Sequence, residues 1–160
     1  MNRITYSPIG IVRSPFRDIK GMPIQPVAAK GIPGPVELAP EYAAGLKDVE
    51  GFSHLILLYH FHLSEGYALE VKPFLDDSAH GVFATRAPKR PNAIGLSTVR
   101  LIRIDQCILH LEDVDIVDGT PLLDIKPYVP AFDAHRVVSI GWLTERYQQA
   151  GEVRADGRFR

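Results

Sequence analysis

The longest uninterrupted apolar run, HLILLYHFHL at residues 54–63, is too short to cross a membrane and suits a buried strand. Downstream, two segments alternate apolar and polar positions. Residues 97–104 (STVRLIRI) do so imperfectly. Residues 107–114 (CILHLEDV) do so well, with Ile108, His110 and Glu112 on one face. Asp105-Gln106 between them predicts a hairpin turn, and Asp118-Gly119 a second turn. Residues 3–12 read as a strand interrupted at Pro8, because proline cannot donate to a central ladder. Residues 81–86 read as a further strand. Helical spacing is scarce. Tyr42, Leu46 and Val49 share a face over residues 41–49, with Gly51 suited to the end, and residues 142–150 predict a terminal helix. Residues 14–36 are loop-rich, and a loop of that length in a compact domain is usually functional.

Several short strands punctuated by turns predict a mainly β fold, a single-domain closed or partly open β-barrel with a few short helices. Composition agrees. The chain has 160 residues, one domain's worth, with 13 prolines and 13 glycines that leave few windows for long helices. A domain of this size buries roughly two-thirds of its unfolded surface and so carries its own core. One domain over residues 1–150 is expected, followed by a flexible tail over 151–160 that lacks periodicity. The single cysteine, Cys107, rules out an internal disulfide framework. The N-terminal MNRITYSPIG lacks the apolar core of a signal peptide. A soluble, cytoplasmic protein with no membrane segment is the expectation.

Charge sharpens the picture locally. The net charge is −1. Yet residues 79–104 hold Arg86, Lys89, Arg90, Arg100 and Arg103 and no acid, while residues 105–125 hold six acids and no Lys or Arg. One reading is two solvated faces that pair with each other. The other is a site where an anionic polymer meets a cationic ligand.

Three constellations can carry chemistry. In GVFATRAPKRPNAIGLS (81–97), cations sit among prolines and glycine on a rigid, non-periodic loop, which suits phosphate or carboxylate binding. In DIVDGTPLLDIKPYVP (115–130), Asp115, Asp118 and Asp124 lie near Lys126 and Tyr128, and these carboxylates can accept a proton or balance a cationic ligand. Set against this, Asp-Gly is a common turn and Tyr128 can be a packing residue. His54, His60 and His62 point one way on an extended strand, a possible transition-metal pair with its third ligand unspecified. No glycine-rich nucleotide motif, P-loop, nucleophile elbow or Cys-x-x-Cys occurs, and Cys107 shows no sign of being a nucleophile. These residues alone leave the reaction open.

Four blocks carry a resemblance: SPIGIVRSP (7–15), GFSHLILLYHFH (51–62), GVFATRAPKRPNAIGLS (81–97) and VDGTPLLDIKPYVP (117–130). They resemble the TsaA-like, or TrmO-type, family of tRNA methyltransferases. Ala93 stands where that family usually has proline, and longer bacterial members carry an additional C-terminal region. The resemblance implies a non-Rossmann β-barrel that binds S-adenosylmethionine as a homodimer, with the cofactor near the interface. It implies methyl transfer to N6 of threonylcarbamoyladenosine beside the tRNA anticodon. Carried onto this chain, the implied cofactor contacts are Gln25, Pro26, Val27, Phe61, His62, Arg86, Leu96, Asp115, Ile116, Val117 and Asp118. Arg86 would hold the methionine carboxylate, and an aspartate the amino group or ribose hydroxyls. Asp124, Lys126 and Tyr128 are the catalytic candidates, and Lys89, Arg90 and Asn92 would position tRNA or the cofactor loop. No metal ligand is assigned. The alternatives are a metal-dependent β-barrel enzyme using His60 and His62, and a non-catalytic module that binds S-adenosylmethionine or RNA.

Overall fold

A computed structural model of the chain describes residues 3–159. Its centre is a closed ring of six antiparallel strands in the order β1 (Gly10–Val12), β2 (Val36–Leu38), β7 (Ile108–Glu112), β6 (Ile94–Asp105), β3 (His54–His60) and β8 (Thr120–Pro127), with β8 returning to β1. The mainly β expectation holds. Strands β4 (Glu70–Val71) and β5 (His80–Gly81) form a separate small ribbon.

The apolar run at 54–63 resolves into strict alternation. Leu55, Leu57 and Tyr59 point into the ring, while Ile56 and Leu58 sit at its half-buried outer face. Val12, Val36, Val99, Leu109, Leu111, Val114, Ile116 and Leu122 fill the rest of the interior. Truncating Leu55 or Leu57 to alanine there costs about 2–5 kcal/mol. Strand β3 is central, paired with β6 on one side and β8 on the other. A register shift between Leu58 and Tyr59 bends it where the ring ends.

The basic and acidic blocks meet across the β6–β7 hairpin. Arg100 lies opposite Glu112 and forms an ion pair with it, and Arg103 is 3.6 Å from Asp105. The hairpin turns one residue later than expected, at Gln106 and Cys107, because Gln106 takes the left-handed conformation at φ 53°. Cys107 therefore lies in the turn rather than in a strand.

Other elements differ from the sequence expectation for local reasons. The strand expected over 81–86 stops at Gly81. Val82–Ala84 instead turns as 3₁₀, since the Thr85 N–H and hydroxyl both donate to the Val82 carbonyl. The helix expected over 41–49 is two 3₁₀ pieces, Pro40–Leu46 and Val49–Gly51, separated by Asp48 at φ 67°. Its apolar face still packs Leu46 and Val49 on the core. The helix expected over 142–150 is likewise split into Gly141–Leu143 and Tyr147–Gly151. There the Thr144 N–H and hydroxyl both go to the Gly141 carbonyl, the acceptor that a continuing α-helix needs.

Residues 151–159 pack on the body. Ala155 exchanges backbone hydrogen bonds with Gly21 and Met22, and Phe159 is buried with Val71, Val82 and Ala87 in a second small core. Residue 160 of the expected tail, and residues 1 and 2, lie outside the described residues. Among the described residues no helix is long and apolar enough to cross a membrane.

Candidate functional site

Where β3 ends and β6 and β8 begin, the ring opens into a cavity of about 840 Å³. That volume suits a small-molecule ligand. Its ring side comes from Tyr59, Phe61 and His62 after the bend in β3, Ile94–Leu96 of β6, Asp115–Val117, and Thr120 of β8. Loops carrying Gln25, Phe74, and Phe83–Pro88 build the walls.

A chain of buried hydroxyls ends on a carboxylate at the ring side. Ser97 donates to Asp115 Oδ1 at 2.6 Å, and the Tyr59 hydroxyl lies 3.0 Å from Ser97 Oγ. With the Ser97 proton committed to Asp115, Tyr59 is the donor of the second bond. Tyr59 is 5% exposed and Ser97 1%. Burial pushes the Asp115 carboxyl up to about 6, opposed by the Ser97 hydroxyl, its own backbone N–H and the nearby Arg86 charge. Burial likewise raises the Tyr59 phenol, with the Asp115 charge adding to it. Gly95 makes this arrangement possible, because a Cβ there would come within 2.2 Å of the Tyr59 ring.

A second pair lines the same cavity. Arg86 donates through Nη1 to Gln25 Oε1 at 3.1 Å, joining two loops that both line the cavity. The Arg90 Nη1 reaches the carbonyls of Val82, Thr85 and Ala87, so this side chain ties the 82–90 loop into shape from within. His62 has left the strand, and its Nδ1 sits 3.3 Å from Thr120 Oγ1. Burial first, and then the neighbouring His60, lower its pKa. Among the described residues no three His, Cys, Asp or Glu side chains gather as a metal site.

Of the implied cofactor contacts, Gln25, Phe61, His62, Arg86, Leu96, Asp115, Ile116 and Val117 line the cavity together. Pro26 and Val27 follow Gln25 into a 3₁₀ turn, outside the lining. Asp118 points elsewhere, accepting from the Ser14 N–H at 3.2 Å and lying 3.7 Å from Arg17. Lys89 is half-buried, and Asn92 is exposed in the turn before β6. The catalytic candidates run down β8 away from the cavity and do not line it, with Asp124 opposite Leu58, Lys126 opposite Ile56, and Tyr128 beside His54 at the far end of β3. Lys126 pairs with Asp124 at 2.6 Å, and the Tyr128 ring lies 6.5 Å from that of His54. At about 3.3 Å per strand residue, the His54 end of β3 is roughly 20 Å from Phe61.

Sequence reasoning passed over Tyr59, Ser97, Thr120 and Trp142. Ser97 was legible as the one polar side chain in the inward phase of β6, between Gly95 and Val99. Trp142 offered only its rarity as the single tryptophan.

Residues 11–134 match the family model described as the tRNA-methyltransferase O N-terminal domain. The chain belongs to this family. A probable S-adenosyl-L-methionine-binding protein of Pyrococcus abyssi is 56% identical over 98% of this chain and 85% of its own length. The tRNA (adenine(37)-N6)-methyltransferase of Escherichia coli is 39% identical over 81% of this chain and 60% of its own. The crystal structure of TrmO from Pseudomonas aeruginosa superposes with a TM-score of 0.74 at 40% identity, covering 88% of this chain and 63% of that one. The chain thus spans under two thirds of that solved TrmO structure. Within residues 11–134, the span matched by the family model, lie all the polar cavity residues named above. Trp142, Tyr147 and Phe159 fall beyond it, yet they also line the cavity.

Proposed function

We propose that this chain is an S-adenosylmethionine-dependent methyltransferase acting on N6 of threonylcarbamoyladenosine next to the tRNA anticodon. The observation that carries the reading is the convergence of Arg86, Gln25 and Asp115 on one cavity in a chain of this family. The donor set fits the cofactor. A guanidinium beside an amide suits a carboxylate, and a buried carboxylate suits an ammonium or ribose hydroxyls. Bound S-adenosylmethionine supplies an electrophilic methyl group on a sulfonium. The chain's part is to hold donor and acceptor in line and to keep water out, which is worth several kcal/mol.

The acceptor nitrogen is a weak nucleophile, since it is conjugated to a carbonyl, and its proton must leave. In this reading Asp124 or Tyr128 takes that proton and Lys126 stabilises charge developing on the carbonyl. None of the three lines the cavity of its own chain, and Tyr128 lies at the far end of β3, which supports a homodimer in which one copy's Asp124–Lys126–Tyr128 face meets the other's cavity. The exposed segment after β8 supports the same assembly, with Phe132 75% and Val138 95% exposed. Lys89 and Asn92 contact tRNA, while Arg90 shapes the loop that presents them. Phe83, 75% exposed with Arg90 5.7 Å from its ring centre, offers a stacking platform for an unpaired base. A tRNA substrate puts the work in the cytoplasm. We take residues 1–150 as the catalytic domain, with residues 151–159 packed on it and adding Ala155 and Phe159 to the cavity wall.

The deciding experiment incubates the purified chain with labelled S-adenosylmethionine and threonylcarbamoyl-modified tRNA, then identifies the nucleosides by mass spectrometry. The N6-methylated nucleoside is the expected product. Binding without transfer to any tRNA would point to a non-catalytic module. Stoichiometric metal in the purified protein, lost on His62→Ala, would favour the metal enzyme. Mixing inactive Arg86→Ala and Tyr128→Phe chains should restore part of the activity. No restoration would remove the shared-site arrangement.

A further inference from the structure

The cavity is chemically divided. Its charged and strongly polar side chains, Gln25, His62, Arg86, Arg90, Asp115 and Thr120, all come from the family-matched span. Residues 141–159 lie beyond that span and contribute Trp142, Leu143, Tyr147, Ala150, Ala155 and Phe159, a surface whose polar side-chain atoms are one indole N–H and one phenol.

This segment is fastened to loops that themselves line the cavity. Trp142 donates its indole N–H to the Ala84 carbonyl at 2.8 Å. The ring stacks on His80, with centroids 4.5 Å apart and planes 20° from parallel. His80 lies 3.1 Å from Asp76, which Arg146 also approaches at 3.4 Å while donating to the Leu75 carbonyl. Further on, Arg154 bridges to Pro23, and Arg158 donates to the Pro73 carbonyl at 3.1 Å. The rings of Phe159 and Phe74 meet edge to face at 5.1 Å.

A tryptophan used only as packing has no need to face a cavity. Here one ring face is covered by His80 and the indole N–H is satisfied, so the side chain is held with two degrees of freedom removed. Its uncovered surface adjoins the cavity. A rigid aromatic next to apolar walls is a surface for a flat, weakly polar group, whereas Arg86, Gln25 and Asp115 in the same cavity are suited to charge.

We propose that residues 141–159 form the purine-binding wall of the cofactor site, with Trp142 packing against the adenine ring of S-adenosylmethionine while the amino-acid end lies toward Arg86, Gln25 and Asp115. The proposal rests on the reading that the cavity holds this cofactor. It adds a direction to the ligand. It also assigns part of the site to residues beyond the 11–134 matched by the family model.

The single tryptophan makes the native protein its own probe. S-adenosylhomocysteine is titrated into the full chain, following tryptophan emission and, in parallel, heat by calorimetry. A saturable change in emission with the calorimetric midpoint is expected. Adenosine should reproduce the change and methionine should not. Calorimetric binding with unaltered emission would overturn the wall, leaving the cofactor reading intact. Absence of calorimetric binding would overturn that reading instead. Trp142→Ala should weaken binding about tenfold or more, and Trp142→Phe, which keeps a ring, by much less. Equal affinity in Trp142→Ala and the native chain would also overturn the proposal. Should that variant fail to fold, the native titration decides.

Discussion

Asp115→Asn should make the protein more stable at neutral pH and a poorer binder of its cofactor. The carboxyl titrates near 6 in the folded chain against an ordinary 3.8, chiefly because burial disfavours its charge. At about 1.4 kcal/mol for each pH unit, this amounts to about 3 kcal/mol. The sign follows from proton counting. Below pH 3.8 both folded and unfolded chains hold the proton, and Asp115 adds no pH dependence. Between 3.8 and 6 only the folded chain holds it, so stability falls as pH rises. Above 6 both are ionised, and the full penalty of a buried carboxylate remains. Asparagine keeps the shape and an acceptor for Ser97 but carries no charge. The variant's advantage should therefore be near zero at pH 4 and reach its plateau above pH 7. For a chain of this length 3 kcal/mol is roughly 6–12 °C in Tm, an upper limit because water reaching the cavity relieves part of the penalty. Thermal unfolding of both proteins across pH 4–8, without ligand, measures the difference. A gap in Tm that is constant over that range would refute the argument, as would a variant less stable than the native chain at pH 8. Calorimetry at pH 8 should show the opposite preference, with the cofactor bound more weakly by the more stable protein.

Substitutions at three other positions probe the same end of the ring. Ser97→Ala leaves the buried Tyr59 hydroxyl without its acceptor, at a cost of about 1–3 kcal/mol. Ser97→Thr should recover most of that loss in denaturant midpoint. Gly95→Ala forces Tyr59 aside, and cofactor affinity measured by calorimetry should fall along with stability. Arg86→Ala removes a charge-assisted contact to the cofactor carboxylate, worth roughly 10- to 100-fold in affinity. Since Arg86 is exposed, Tm should move by little, and an unchanged affinity would remove it from the site.

The ring was legible wherever local pattern and tertiary environment agree. Alternation at 107–114 and the apolar run at 54–63 became β7 and β3, because each places a continuous inward face in one interior. The Pro-rich stretches were legible as loops. Misread segments are those where one side chain overrules the pattern. Thr85 closes a turn on Val82 that a run of Val, Phe and Ala hides, and Thr144 does the same to Gly141 in what reads as a helix. The site divides the same way. Arg86 and Asp115 stand out as charges in recognisable blocks. The Tyr59–Ser97 pair does not, because a hydroxyl matched across neighbouring strands depends on register, which no single segment specifies. Distance was the least legible quantity. Asp124, Lys126 and Tyr128 follow Asp115 closely in sequence, yet β8 leads progressively away from the cavity, so that Tyr128 ends beside His54 at the far end of β3.

The ring is sealed by its first and last strands, Gly10 meeting Leu122 and Val12 meeting Thr120. On the ribosome β1 emerges early and then waits while most of the chain is made, with one edge unpaired until β8 appears. Folding is consequently governed by long-range contacts and should take milliseconds to seconds rather than microseconds. The edge is only three residues long, which limits its capacity to recruit strands from other nascent chains during the wait. Overproduction at low temperature, where synthesis slows and hydrophobic association weakens, should accordingly raise the soluble yield.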